Sequence, residues 1–169
     1  GRTTRRSRPG GSVPFVSGPP SPSPAGALQR TTGRTGSAKA RYLHGANTAL
    51  SAVTELSYST KQVSGPALVA DPSYQLVMCL NGAPTSCGGF TTLVFEPYQN
   101  LQLGPIVPNA WQRWNVAAGL FWSTRTVHCS GGDVVGTPGG PATYTRSQIE
   151  SLCPRPVFIG FGGDAGTDN

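Results

Sequence analysis

Charged residues are scarce in this sequence, and long apolar segments are missing. Asp, Glu, Lys and Arg make up 12% of the 169 residues, against roughly 25% in an average globular domain. No apolar stretch approaches the ~20 residues that a membrane-spanning helix requires, so the sequence predicts no transmembrane helix. The length fits one domain with tails rather than a two-domain enzyme.

Acidic residues are absent before Glu55, whereas eight of the 13 basic residues lie within residues 1–41. Residues 42–169 carry a net charge of −2, which offers no electrostatic attraction to a nucleic-acid backbone. We therefore assign residues 1–10 to a basic, flexible N-terminal tail and residues 11–169 to the folded domain. We do not expect the folded body to bind nucleic acid.

The chain lacks any Cys-x-x-Cys pair, so the spacing typical of zinc ribbons and thioredoxin-like sites is missing. Its four cysteines are an even set, which favours disulfides. Of the three possible pairings we favour the one that joins neighbours along the chain, because Cys79–Cys87 and Cys129–Cys153 close the shortest loops. Disulfides are typical of an oxidising compartment, and we therefore expect a secreted, extracellular protein.

Short segments with alternating apolar residues predict an all-β fold. Residues 73–80 alternate strictly before an Asn-Gly turn, and the β-branched and aromatic segment 90–98 follows, which predicts a hairpin. Glycine and proline form about a quarter of the chain and separate further short strands, with residues 130–142 read as a loop. The pattern predicts an antiparallel β-sandwich or jelly roll with one short helix near residues 145–152.

Five sequence blocks resemble a known group of proteins in their composition and order. The blocks are GSVPFVSGPPSPSPAG, LSAVTELSYST, FTTLVFEPYQN, WQRWNVAAGLFWST and FIGFGG. Over about residues 11–166 the chain resembles uncharacterised secreted β-sandwich proteins of actinobacteria and related bacteria. The resemblance implies a jelly-roll-like sandwich, similar in outline to galactose-binding and concanavalin-like modules, and it implies no catalytic residues.

The C-terminus departs from that group, whose members continue past the Gly-rich ending into a strand of the Tyr-x-Asp-x-(Val/Leu) type. The chain reaches Asn169 without this strand, so we expect the sandwich to lack its last strand. An unpaired edge of that kind is open to strand addition from a neighbouring chain. Self-association through a sheet edge is therefore one expected mode of interaction.

Glu96 is the most informative carboxylate, because it follows apolar residues of a predicted strand. A charge in that position faces solvent, acquires a raised pKa, or pairs with an arginine such as Arg113 or Arg125. We favour the ion pair. A glycosidase needs two carboxylates roughly 5–10 Å apart, but none of the seven acidic residues is paired in sequence, so a glycan hydrolase is a distant third hypothesis.

Nucleophilic and metal chemistry have only weak signals in the sequence. His128, Ser130 and Asp133 lie within six residues, yet the partners of a catalytic triad normally meet in space rather than in sequence. A Ser or Cys hydrolase is therefore not favoured. The acidic tail 164–169 offers oxygen atoms to Ca²⁺, but such Gly-rich tails are usually flexible, and we predict no metal or other cofactor beyond this weak signal.

Aromatic residues are the remaining functional signal, since exposed rings of β-sandwiches stack on the faces of sugars. Trp111 and Trp114 are three residues apart on one predicted strand, so both cannot face the core. One of the two is expected to lie outward or at a rim. The candidate ligand-binding residues are Trp111, Trp114, Trp122, Tyr98, Glu96 and Arg113.

These signals favour a secreted, non-catalytic module that binds a polysaccharide, a cell-surface glycan or another extracellular partner through an aromatic-rich surface. The alternative is a structural or assembly module that associates through an open sheet edge and the basic tail. The two hypotheses differ in the exposure of the tryptophans. A fully buried set favours assembly, whereas a ring open beside polar side chains favours glycan binding.

Overall fold

A seven-stranded antiparallel sheet is the largest element of the structure, which is a computed structural model. The structure describes residues 3–9, 11–16, 27–32, 39–63, 71–83 and 85–166. Its strands are β1 (Thr3–Ser7), β2 (Gly11–Ser12), β3 (Phe15–Val16), β4 (Ala27–Leu28), β5 (Thr31–Thr32), β6 (Lys39–Ala49), β7 (Ser57–Thr60), β8 (Ser73–Cys79), β9 (Phe90–Phe95), β10 (Gln112–Asn115), β11 (Leu120–Ser123), β12 (Val127–Cys129), β13 (Gly132–Val134), β14 (Tyr144–Thr145) and β15 (Val157–Gly166). The helical elements are α1 (Arg146–Leu152) and 3₁₀ turns at Leu50–Ala52, Pro97–Gln99, Leu101–Leu103 and Val116–Ala118.

The strand content confirms the predicted all-β class. The large sheet has the order β1-β6-β15-β8-β9-β11-β14, and four two-stranded ribbons pair β10 with β7, β12 with β13, β2 with β5, and β3 with β4. The sandwich or jelly-roll arrangement itself stays a prediction. No helix within the described ranges is long and apolar enough to cross a membrane.

The predicted hairpin of β8 and β9 lies inside the large sheet. Tyr74 is opposite Phe95 and Cys79 is opposite Phe90 in an unbroken antiparallel register. A disulfide joins Cys79 to Cys87 in the connecting loop, as predicted. The bridge closes a loop rich in glycine, where local sequence gives the strands little register information.

β15 runs through the middle of the sheet rather than along an edge. It pairs antiparallel with β6 on one side and with β8 on the other, with a register shift between Phe158 and Gly160. β15, the last described strand in chain order, is therefore central, and the two edges of this described sheet are β1 and β14. Thr3–Ser7, assigned from sequence to a flexible tail, forms β1 and pairs with β6.

One face of the large sheet carries the hydrophobic core. Alternation along β8 and β9 places Tyr74, Leu76, Leu93 and Phe95 on this face. Other elements contribute Leu56, Trp114, Val116, Phe121, Val127, Val134 and Ile149 to the same cluster. The core therefore joins the sheet to the β7–β10 ribbon, the β12–β13 ribbon and α1, and it fixes the position of each.

α1 matches the helix predicted near residues 145–152 and begins with a capping box. The Thr145 hydroxyl accepts the backbone N–H of Gln148, whose side chain accepts the N–H of Thr145 in return. Cys153 follows the helix directly and forms the second predicted disulfide with Cys129 of β12. The segment 130–142 was predicted to be a loop. This prediction is wrong in part, because Gly132–Val134 pairs with β12.

Candidate functional site

Two of the three tryptophans are core residues. Trp114 and Trp122 are each 1% exposed, and both indole N–H groups are used internally. Trp114 Nε1 donates to Thr60 Oγ1 over 2.8 Å, and Trp122 Nε1 donates to Glu96 Oε2 over 2.7 Å. Neither ring has a face open to a ligand, which corrects the expectation that both contribute to a binding surface. Trp111 is the one tryptophan that is partly exposed.

Glu96 lies in a hydrogen-bond cluster with neutral side chains. Its Oε2 accepts from Trp122 Nε1 and, also over 2.7 Å, from Gln99 Nε2. Among the described residues it forms no ion pair with Arg113 or Arg125, so the expected arginine partner is wrong. The physical reason is local: the 3₁₀ turn that follows β9 brings Gln99 back to the carboxylate.

Tyr98 lies beside this cluster and is only partly exposed. Its hydroxyl accepts from Gln99 Nε2 over 3.2 Å, and burial, with the nearby Glu96 carboxylate adding to it, raises the pKa of Tyr98. Gln99 also donates to the carbonyl of Gly140 and accepts from the N–H of Ala142. Glu96, Tyr98 and Gln99 therefore attach a distant loop to the end of β9, which is a structural role.

The β7–β10 ribbon separates inward from outward side chains by alternation. Tyr58 lies opposite Trp114 and Thr60 lies opposite Gln112 on the inward side. The alternation continues past β7, since Gln62 is buried and Val63 is 71% exposed. The outward side chains of the paired strands are Ser57, Ser59, Arg113 and Asn115. Extending the same alternation beyond the paired residues adds Lys61, Val63 and Trp111, all of them at least partly exposed. We call this set the ribbon face.

A braced turn before β10 presents Trp111. The Gln112 side chain holds the turn at two points. Its Oε1 accepts from Val107 N over 2.6 Å, and its Nε2 donates to the carbonyl of Pro105 over 2.7 Å. Asn109 donates its N–H to the carbonyl of Gln62 over 2.8 Å. Asn109 has φ of 60°, in the left-handed region that asparagine tolerates. The backbone leading to Trp111 is thus tied to both strands of the ribbon.

An exposed ion pair lies at the edge of the ribbon face. Arg113 donates through Nη2 to Glu55 Oε1 and, over 3.0 Å, to Ser57 Oγ. The hydroxyl of Ser57 in turn donates to Glu55 over 3.1 Å. Both charged side chains are about two-thirds exposed, so water screens the pair and it contributes at most about 1 kcal/mol.

A buried polar chain lies beneath the ribbon face. Thr60 Oγ1 accepts from Trp114 and donates to Asp71 Oδ2 over 2.9 Å. Asp71 is 8% exposed, and within the described part of the chain its Oδ1 has no hydrogen-bond partner. Burial raises the pKa of Asp71, while the hydrogen bond from Thr60 opposes that rise. The chain links the inward side of the ribbon to the segment before β8.

His128 and Asp133 meet across the β12–β13 ribbon. His128 Nδ1 and Asp133 Oδ1 are 2.9 Å apart, with side chains 83% and 48% exposed. Ser130 lies in the turn that joins the two strands, and in the described structure it makes no hydrogen bond to His128, so the three residues do not form a triad.

The described residues form no metal-binding site. Asp164, from the tail considered for Ca²⁺, is 3% exposed, and its Oδ2 is 3.0 Å from Lys39 Nζ and 2.9 Å from Gln75 Nε2. Asp168 and Asn169 lie outside the described residues. The part of the chain that is described holds no group of three or more His, Cys, Asp or Glu side chains placed to bind a metal ion.

Comparison of the chain with protein-family profiles, curated proteins and solved structures finds no match. The case for a site therefore rests on the ribbon face. Sequence reasoning named Trp111 and Arg113 but missed Ser59, Lys61 and Asn115. The signal for them was the two-residue alternation in LSYSTKQV and WQRWN, read with an inward Trp114.

Proposed function

We propose that this protein is a secreted, non-catalytic module that binds a glycan, or another extracellular partner, through the ribbon face. One observation carries the proposal: Trp111 is partly exposed and directly precedes β10, whose outward side chains are Arg113 and Asn115. A ring flanked by polar groups suits a sugar, because the ring covers the apolar face of the sugar while polar side chains bind its hydroxyls.

The surroundings of Trp111 support this function. The hydroxyls of Ser57 and Ser59 line the neighbouring strand, and two exposed apolar residues, Val63 and Val107, lie in the segments that follow β7 and precede β10. The hydrogen bonds of the braced turn hold the backbone before Trp111, and a site on held backbone costs less conformational entropy on binding than one on a loose loop. Two disulfides agree with the oxidising environment outside the cell.

Assembly through a sheet edge has weaker support. The described edge strands are β1 and β14, and β14 is only two residues long. β1 contains Arg5 and Arg6 in its five residues, and charged residues on an edge strand oppose pairing with another chain. Hydrolysis has still less support, since the Glu96 carboxylate accepts two hydrogen bonds that hold the fold together.

Tryptophan fluorescence tests the proposal directly. Because Trp114 and Trp122 are buried, acrylamide quenching and ligand-induced shifts report mainly on Trp111. We expect a panel of soluble polysaccharides to contain one that gives a saturable blue shift and protects the emission from acrylamide. Trp111→Ala should weaken that binding about tenfold or more, since burying a large side chain contributes about 1.5–3 kcal/mol.

Phe90→Ala is the matched control, because Phe90 is 43% exposed and lies on β9 rather than on the ribbon face. It should bind the polysaccharide as the wild type does. An emission that no polysaccharide changes, or equal binding by Trp111→Ala and the wild type, would overturn the proposal and favour the assembly module.

A further inference from the structure

The ribbon face carries more positive than negative charge. Arg113 and Lys61 are the two cations, and the sole carboxylate at this described surface, that of Glu55, is already engaged with Arg113. Lys61 follows β7 directly and Trp111 precedes β10 directly, so the two residues flank Thr60 and Gln112, the last pair of the ribbon. This places the Lys61 cation at the same end of the ribbon as the Trp111 ring.

Arg113 is placed to exchange partners. It uses Nη2 for Glu55 and Ser57, and its guanidinium has further N–H donors in a planar fork that matches a carboxylate. An exposed pair of this kind is weak, so a ligand carboxylate competes with Glu55 on nearly equal terms. Trp111 and Arg113 are alternate residues, and alternate residues of extended backbone lie about 6.6–6.8 Å apart. A sugar ring stacked on Trp111 therefore lies within reach of the long Arg113 side chain.

We propose that the ligand is an acidic glycan, in which the carboxylate of a uronic acid binds Arg113 and Lys61 while the sugar ring stacks on Trp111. This inference rests on the proposed function. Glu55 occupies Arg113 in the unbound protein and competes with the ligand. This arrangement makes the ribbon face selective for carboxylated over neutral polysaccharides, and it makes Glu55 an internal brake on affinity.

The test uses two polymers with one backbone, polygalacturonate and its methyl ester, at low and high salt. The wild type should bind the free acid about threefold more tightly than the ester, the size of one exposed ion pair. Glu55→Gln should raise affinity for the acid about twofold and leave the ester unchanged. Arg113→Gln should abolish the preference, so that this variant binds the acid and the ester with equal affinity.

Two controls separate a local effect from overall charge. Asp133→Asn makes the same change in net charge as Glu55→Gln, and Arg125→Gln the same change as Arg113→Gln, but both lie outside the ribbon face. Neither should alter the preference. Equal, Trp111-dependent binding of acid and ester overturns the acidic-glycan inference and leaves the proposed function intact, whereas Trp111-independent binding of both polymers counts against the proposed function itself.

Discussion

At the scale of single residues, two tryptophans three positions apart have opposite roles. Trp114 fills the core and donates to Thr60, while Trp111 sits on the ribbon face. Trp114→Ala should lower the free energy of unfolding by about 3–5 kcal/mol, as is usual for truncation of a buried aromatic. Trp111→Ala should change it by less than about 1 kcal/mol. Urea denaturation of both variants checks this, and a larger loss for Trp111→Ala would contradict the assignment.

Asp71 gives a prediction about pH. Burial raises its pKa in the folded protein, so the folded state binds this proton more tightly than the unfolded chain does. The stability from this site is fully present below the ordinary aspartate pKa of about 4 and is lost as pH rises through the raised value. Asp71→Asn, which keeps an oxygen for Thr60, should therefore gain stability relative to the wild type as pH increases.

Denaturant midpoints of Asp71→Asn and the wild type at pH 3, 5 and 7 measure this difference. A difference for Asp71→Asn that stays constant from pH 3 to pH 7 would show that burial does not raise the pKa of Asp71.

Residue identity alone separated these roles only in part. The three-residue spacing of Trp111 and Trp114 required one of them to leave the core, but the sequence does not say which. Glu96 accepts a hydrogen bond from Gln99 instead of pairing with an arginine, because the 3₁₀ turn after β9 folds back on that strand. The burial of Trp122 depends on the same turn. Local pattern carries no information on such contacts.

At the scale of elements, the two disulfides differ in the length of chain that they close. The bridge Cys79–Cys87 spans 8 residues and Cys129–Cys153 spans 24. Loop-closure entropy predicts that the longer bridge stabilises more, by about 1 kcal/mol. The double variant Cys129→Ser/Cys153→Ser should accordingly unfold at lower denaturant than Cys79→Ser/Cys87→Ser. Equal midpoints would indicate that strain or residual structure outweighs loop length.

Elements formed by neighbouring residues were the predictable part of the fold. The β8–β9 hairpin, the capped helix α1 and both disulfides depend on contacts within about 25 residues, where turn residues, spacing and loop length are informative. β13 was missed because it begins at Gly132, directly after Gly131, and Gly136 follows two residues after it ends, and a segment so rich in glycine resembles a loop. The ribbon of β7 and β10 joins segments more than 50 residues apart, and no local signal sets that register.

At the scale of the whole molecule, the formal charge of +6 is uneven. A positively charged protein attracts polyanions without selectivity. Salt screens this attraction beyond the Debye length, which is about 8–10 Å near physiological ionic strength. Preference for a carboxylated glycan that persists in variants of equal net charge is therefore the property that distinguishes a site from general attraction. Loss of that preference in Arg113→Gln would place the site at Arg113.

The position of β15 also governs when the sheet can form. β15 is the last described strand in chain order, yet it lies between β6 and β8. Until residues 157–166 have left the ribosome, β1 and β6 have no connection to the strands β8, β9, β11 and β14. The seven-stranded sheet therefore cannot be completed before residues 157–166 are available, and until then its strands can pair only as two separate groups, β1 with β6 and the strands from β8 to β14.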